Sequence, residues 1–297
     1  IRDLVRSRGL GDVYKRQIED NPEWQVYKQL MQALYHTSPA RVSVAGSVES
    51  ISHITAQTLY DCHKAFYTPA NMCLVAVGDL DPASVFSLAE EVLPKESGPA
   101  IPRDYGRETD LTPLEAEVSC EMEVSMPTFL LGFKCPPMSG GQEQMRRTLI
   151  GELACDVLLG DSSPLYARLY SQGLINGTFG YSFDTLPGVA YAYIGGDSKD
   201  PHAVAEEVLR EARRLVKDGM DPDYYARIVR ANYGSTLKSL NSFESIAISL
   251  VEGQFDGYDP LLFPEMFDSI TPQDLLAFIR ENLCREHMAL SVVYPKE

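Results

Sequence analysis

Apolar positions fall on helical faces or in short continuous runs along most of the chain. Trp24, Val26, Leu30, Leu34 and Tyr35 recur at helical spacing. Asn21-Pro22-Glu23 just before them supplies a cap, a first-turn proline and an acid suited to the helix dipole. A turn is expected at Ser38-Pro39. Residues 55–67 read as a second helix with Leu59, Cys62, His63 and Phe66 on one face, broken by Thr68-Pro69-Ala70-Asn71. Trp24, Leu30, Leu34, Leu59 and Phe66 are expected to pack on a sheet of their own domain. The apolar run 72–78 predicts a buried strand, and Asp81-Pro82 opens a helix to Leu93. Prolines, Gly98 and Gly106 then give residues 94–113 a linker composition.

The pattern resumes after the linker. Residues 116–135 are strand-like, with an apolar run from Phe129 to Phe133. Residues 142–159 form a helix that turns Leu149, Leu153, Val157 and Leu158 inward, and 163–172 a shorter one. Residues 179–183 and 189–194 form a hairpin around Leu186-Pro187-Gly188. Residues 201–218 make an amphipathic helix closed by Gly219, and Asp221-Pro222 caps a long helix running towards Glu252. Thr271-Pro272 caps a helix over 273–283, and 288–294 is a last strand.

Residues 54–78 set against 270–294, an offset of 216, share seven identities in 25 positions: Ile54, Thr55, Gln57, Leu59, Met72, Leu74 and Val77 meet Ile270, Thr271, Gln273, Leu275, Met288, Leu290 and Val293. The helix-then-strand pattern coincides as well. A period this long means two copies of one domain, because solenoid units run about 20–50 residues. The second copy opens near Ala116, so the offset places the first copy's opening strands about 100 residues before Ile1 and leaves the first domain incomplete. The expected organisation is an anomalous segment 1–17, the later half of a first domain over 18–93, a linker over 94–115 and a second domain over 116–297. The fold class is α+β, with a mixed sheet and helices packed on one face.

Composition narrows the function. The chain has 297 residues, 26 Lys+Arg and 42 Asp+Glu, a net charge of −16. Nucleic acid is not an expected partner, since neutralising phosphates needs clustered cations. The apolar runs fall far short of the ~20 residues of a membrane span. Residues 1–17 stand apart, with five basic and two acidic side chains, a net +3. They lack the apolar core of a secretory signal. Six scattered cysteines with no CxxC read as free buried thiols of a reducing compartment, the cytoplasm. Five scattered histidines have no HxxxH or HxxEH spacing. His36 reads as a helix-end cap, and Gly195-Gly196-Asp197 as a turn. Tyr224, Tyr225 and Tyr233 read as packing residues.

Residues 20–82 resemble a segment of the pitrilysin/insulinase family of zinc metallopeptidases, which includes the mitochondrial processing peptidases. The matching positions are Pro39, Gly46, Glu49, Ile51, Ile54, Leu59, Phe66, Tyr67, Pro69, Asn71, Met72, Leu74, Gly78, Asp79 and Asp81. Residues 160–183 are similar to a second family segment, and the likeness spans about 280 of the 297 residues. It implies tandem domains of the LuxS/processing-peptidase-like type and a bacterial, cytoplasmic protein. It also implies an inverted HxxEH zinc motif, whose two histidines hold the metal and whose glutamate acts as general base. That motif is absent from this sequence. The family's third ligand, a glutamate, falls near Tyr14 or Lys15, with Glu19 the nearest glutamate. No catalytic residue and no metal ligand transfers, so no cofactor is expected in this chain.

Family members also use an Arg and a Tyr of the second domain to hold substrate. Their place is the 179–194 hairpin, where Tyr181, Tyr191 and Tyr193 stand, with no Arg between Arg168 and Arg210. The resemblance thus implies the C-terminal portion of a zinc endopeptidase, supplying part of a peptide chamber. The alternative is a non-catalytic partner subunit of a heterodimeric peptidase. The implied partners are a peptide substrate and a homologous catalytic subunit or a second copy.

Overall fold

The computed structural model describes residues 20–94, 102–106 and 108–296. The anomalous segment and the centre of the expected linker lie outside them. Five strands form one mixed sheet: β1 (Glu117–Met122), β2 (Thr128–Cys135), β3 (Gly180–Leu186), β4 (Val189–Asp197) and β5 (Met288–Pro295), in the order β1-β5-β2-β4-β3. β1 runs parallel to β5, and the other neighbours are antiparallel. The expected hairpin is β3–β4, closed by Pro187-Gly188 with Gly188 at φ 82°, a left-handed conformation that glycine adopts without steric cost. Gly195-Gly196-Asp197 lies inside β4 rather than in a turn.

Alternation along β2 divides the core. Phe129, Leu131, Phe133 and Cys135 point to a helical layer, while Leu130, Gly132 and Lys134 point to the opposite face. That layer contains α5 (Gly141–Leu159), α6 (Pro164–Ser171), α7 (Pro201–Asp218), α8 (Pro222–Ser239) and α11 (Pro272–Asn282). Tyr224 and Tyr225 donate to the carbonyls of Val157 and Ile270, and Tyr233 packs on Phe263 and Phe267, which are the packing roles read from sequence. The expected long helix is two: α8 stops at Ser239, and Ser242 caps α9 (Phe243–Asp256) by accepting from the Ser245 amide. Of the six free thiols only Cys135 and Cys155 are buried, and Cys62 is exposed.

The opposite face is covered by α1 (Pro22–Leu34), whose Leu30 and Leu34 were expected on a sheet of the first domain but pack on that of the second. Val26, Leu30, Met31 and Leu34 are buried, and the helix packs on β5, β2 and β1. Each such side chain contributes about 1.5–3 kcal/mol. Gly132 permits the approach, because a Cβ there would stand 2.7 Å from a Leu30 methyl. The end of α1 is tied to the supposed linker. The Glu108 carboxylate accepts from the amides of His36, Thr37 and Ser38 at 2.9 Å each and pairs with the buried Lys134 ammonium. That ammonium also lies 5.0 Å from the Tyr35 ring centre. His36 caps no carbonyl of its own helix; its ring meets the Thr112 carbonyl at 3.1 Å.

Residues 42–93 are built differently. They hold α2 (Val48–Ser52), α3 (Ala56–Phe66) and α4 (Pro82–Val92), and neither α3 nor α4 has a buried residue. Leu59 and Phe66, expected on a sheet, are exposed. The predicted strand 72–78 is extended but unpaired: among the described residues no strand lies beside it. A strand needs partners for its backbone groups, and propensity alone supplies none.

Candidate functional site

The family resemblance implies zinc. Among the described residues no three His, Cys, Asp or Glu side chains converge. His36 serves the Thr112 carbonyl, His63 stacks on Tyr67 at 4.7 Å, and His202 lies 3.4 Å from Glu117. These residues do not fit a zinc ion, and no hydrolytic step runs through them. Tyr14, Lys15 and Glu19, where the third ligand was expected, lie outside the described residues.

The three candidate tyrosines fall on two faces of the sheet. Tyr191 and Tyr193, two apart on β4, point beneath α1; Tyr181 pairs across β3 with Ile194 and points to the helical layer. Tyr191 is fully buried, its hydroxyl 2.7 Å from that of Tyr27, and Tyr193 packs edge-on against the Tyr27 ring at 5.9 Å. Tyr181 donates to Asp156 at 2.8 Å, and Asn232 donates to the other oxygen of the same carboxylate at 2.6 Å. Burial, then the Asp156 bond, raises the Tyr181 hydroxyl's pKa above the ordinary tyrosine value. Burial and the Tyr27 hydroxyl do the same for Tyr191. All three are therefore neutral hydrogen-bonding groups, not bases.

Tyr181 and Tyr193 nevertheless meet at one place. A cleft of about 470 Å³ at the end of the sheet is lined by both, together with Glu23 and Tyr27 of α1, Thr128 and Asp197. Gly180 leaves the backbone open there, whereas a Cβ at Gly195 or Gly196 would meet the backbone of Phe129 or Thr178. Tyr27 and Glu23 were missed by sequence reasoning, although Tyr27 lies beside Val26 on the apolar stripe of α1. Nothing in a helical stripe tells which sheet it will meet.

In the unpaired segment and the helix and turn before it, Leu59, Tyr60, Phe66, Tyr67, Met72 and Leu74 are each exposed.

Residues 53–232 match the M16 peptidase inactive domain. The chain belongs to the M16 family of peptidases, the pitrilysin/insulinase group. It is 34% identical to the uncharacterized zinc protease YmfH of Bacillus subtilis, over 99% of this chain and 69% of that one. It is similar to an M16-like peptidase from Alicyclobacillus acidocaldarius, with a TM-score of 0.91 and 25% identity over 99% of this chain and 71% of the other. An M16 inactive domain from Pseudomonas fluorescens shares the fold, with a TM-score of 0.79 and 19% identity over 100% of this chain and 71% of its own. Among the described residues no helix is long and apolar enough to cross a membrane. Among the described residues, the matched segment of this M16 chain holds no metal constellation.

Proposed function

We propose that this chain forms a peptide-holding, non-hydrolytic wall of an M16 peptidase chamber and works with a zinc-bearing domain of the same family. The observation that carries this reading is the unpaired segment 72–77. Its repeat counterpart, β5, is flanked by a strand on both edges, parallel β1 and antiparallel β2. The same motif in the first copy has neither partner among the described residues and leaves Met72 and Leu74 exposed, which fits a sheet completed by the metal-bearing part. In this reading Tyr181 and Tyr193 touch peptide in the cleft, and Tyr191 positions Tyr193 and Tyr27 from behind. The substrate is an extended peptide, whose backbone amides the tyrosine hydroxyls and Asp197 can engage.

The test is reconstitution. The purified chain alone should neither retain stoichiometric zinc after dialysis nor cleave a quenched fluorogenic peptide library. Addition of the part of YmfH outside its match to this chain should give zinc-dependent cleavage. Tyr193→Ala should then raise KM by about tenfold with kcat little changed, as expected for loss of uniform binding. One tightly held zinc per chain without that addition would sink the proposal.

A further inference from the structure

We propose that a small pocket between α5 and α11 binds a free amino acid with an apolar side chain, holding its ammonium, its carboxylate and its side chain together. The site is separate from the cleft that Tyr181 and Tyr193 share.

Strand β2 sets the separation. Thr128, at one end of the strand, lines the cleft, and Cys135, at the other end, lines the pocket. The seven residue steps from Thr128 to Cys135 span about 23 Å. The pocket holds about 210 Å³. That is below the ~300–1,000 Å³ of sites for drug-sized ligands, so its occupant is small.

Among the described residues, three polar groups at its wall are unsatisfied. Asn282, the last residue of α11, is 6% exposed and lines the pocket. Its side-chain nitrogen donates to the Phe278 carbonyl at 2.9 Å, but its buried Oδ1 accepts from nothing. A buried acceptor without a donor is costly, so this oxygen calls for an N–H or O–H from an occupant. Arg147 is half-buried, and Glu143, one turn before it on α5, is exposed; both line the pocket. Their order and spacing favour an ion pair with each other. Yet among the described residues neither side chain makes a hydrogen bond or an ion pair. The neighbouring charges are already taken. Arg146 reaches Asp274 at 3.1 Å and Ser269 at the end of α10 (Phe263–Ser269), and Arg280 takes Glu281.

One free guanidinium, one free carboxylate and one acceptor without a donor are complementary to a zwitterion. The Arg147 fork suits a carboxylate. Glu143 and the Asn282 oxygen suit the N–H groups of an ammonium. Met138, Ile150 and the Phe183–Phe278 ring pair, edge to face at 5.2 Å, give an apolar side chain its place. A residue inside a peptide carries neither charge, and a terminal one carries a single charge. Both charges on one small apolar residue describe a free amino acid.

The test is calorimetric titration of the full chain with L-leucine. One leucine per chain should bind. Leucinamide, which keeps only the ammonium, N-acetylleucine, which keeps only the carboxylate, and glycine, which lacks the side chain, should each bind at least about tenfold more weakly. Arg147→Ala should weaken leucine at least about tenfold and bind leucine and leucinamide alike. Glu143→Gln should weaken leucine and leave N-acetylleucine unchanged. Both variants should keep the wild-type unfolding transition, since neither side chain has a partner to lose. Leucinamide binding as tightly as leucine makes the pocket one for a peptide N-terminus and overturns the proposal. Unchanged leucine affinity in Arg147→Ala overturns it too. No binding of leucine, methionine or phenylalanine at about 10 mM leaves the three groups to water alone and also overturns it.

Discussion

Residues 54–78 and 270–294 share their local structure and differ in fate. Both segments open with a threonine capping box, Thr55 or Thr271, and run an 11-residue helix. Both then make a three-residue 3-10 turn, Pro69–Asn71 or Arg285–His287, each displaced by the sequence offset of 216. Even the helix ends agree: Tyr67 donates to the His63 carbonyl and Leu283 to that of Ile279. The divergence begins at the next residue. Met288 enters a strand with neighbours on both edges, while Met72 enters an extended segment with none among the described residues. Caps, helix and turn are local and form wherever the sequence repeats. A strand is a relation between distant segments and forms only where they are present.

The strongest consequence concerns Leu74 and Leu290, identical residues at equivalent positions. Leu290 is 3% exposed and Leu74 is 69% exposed. Leu290→Asp puts an unpaired carboxylate in the core and should cost more than about 4 kcal/mol, enough to unfold the chain at ambient temperature. Leu74→Asp in the isolated chain should change stability by less than about 0.5 kcal/mol. Urea titration of both variants decides this, and comparable losses would mean that the first copy is already packed.

Glu108 sets the boundary between the two regions, because it joins the end of α1 to the second domain's sheet. Glu108→Ala leaves Lys134 buried without its partner and should cost about 3–5 kcal/mol. Burial alone would raise the Glu108 pKa, but the Lys134 ammonium and the three amides outweigh it and bring the group from an ordinary 4.5 to about 2. A lowered folded-state pKa stabilises above the unfolded value and is lost as pH falls through the folded one. The resulting ~3 kcal/mol should be full above about pH 4.5 and gone near pH 2. Denaturation measured across that window should show a steeper acid loss in wild type than in Glu108→Ala.

Helix α1 belongs energetically with the second domain although it precedes the first-copy segment in sequence. Leu30→Ala should destabilise the whole domain by about 2–5 kcal/mol through the cavity left over Gly132. Hydrogen exchange should protect residues 22–35 together with 117–296, while 56–92 exchange fast. Fast exchange throughout 22–35 would detach α1 from that unit.

These contrasts explain what could be read in the sequence. Helices and their caps were legible because Asn21, Asp81, Asp221 and Thr271 act within one turn of themselves. The duplication was legible because Leu74 and Leu290 keep the same residue. The covering of the sheet's second face was not, since the stripe Val26, Leu30, Leu34 says that a helix has an apolar side and not which sheet receives it. Glu108 was hidden by the Pro- and Gly-rich composition around it, which describes a chain that does not continue a helix or strand but can still be anchored. The break at Ser242 did leave a signal: Asn241-Ser242 followed by Phe243-Glu244 is a cap sequence inside an otherwise helical pattern. Among the candidate tyrosines, spacing placed Tyr191 and Tyr193 on one face, but the register with β3 sends Tyr181 to the other.

The smallest expected effect separates local from global structure most directly. Thr55 and Thr271 accept from the amides of Thr58 and Asp274, three residues on, in the same geometry. Removing such a cap costs about 1 kcal/mol wherever the helix is formed. The helix behind Thr271 contributes Leu275 and Ile279 to the main core, so its fraying is coupled to global unfolding. Thr271→Ala should therefore lower the unfolding free energy by about 1 kcal/mol. The helix behind Thr55 buries nothing, so the same loss should appear as roughly fivefold faster amide exchange within 56–66, with the global transition unmoved. If Thr55→Ala lowers the global transition as much as Thr271→Ala does, the first copy unfolds as one unit with the second. The difference between the two regions would then lie in their surfaces alone and not in their cooperativity.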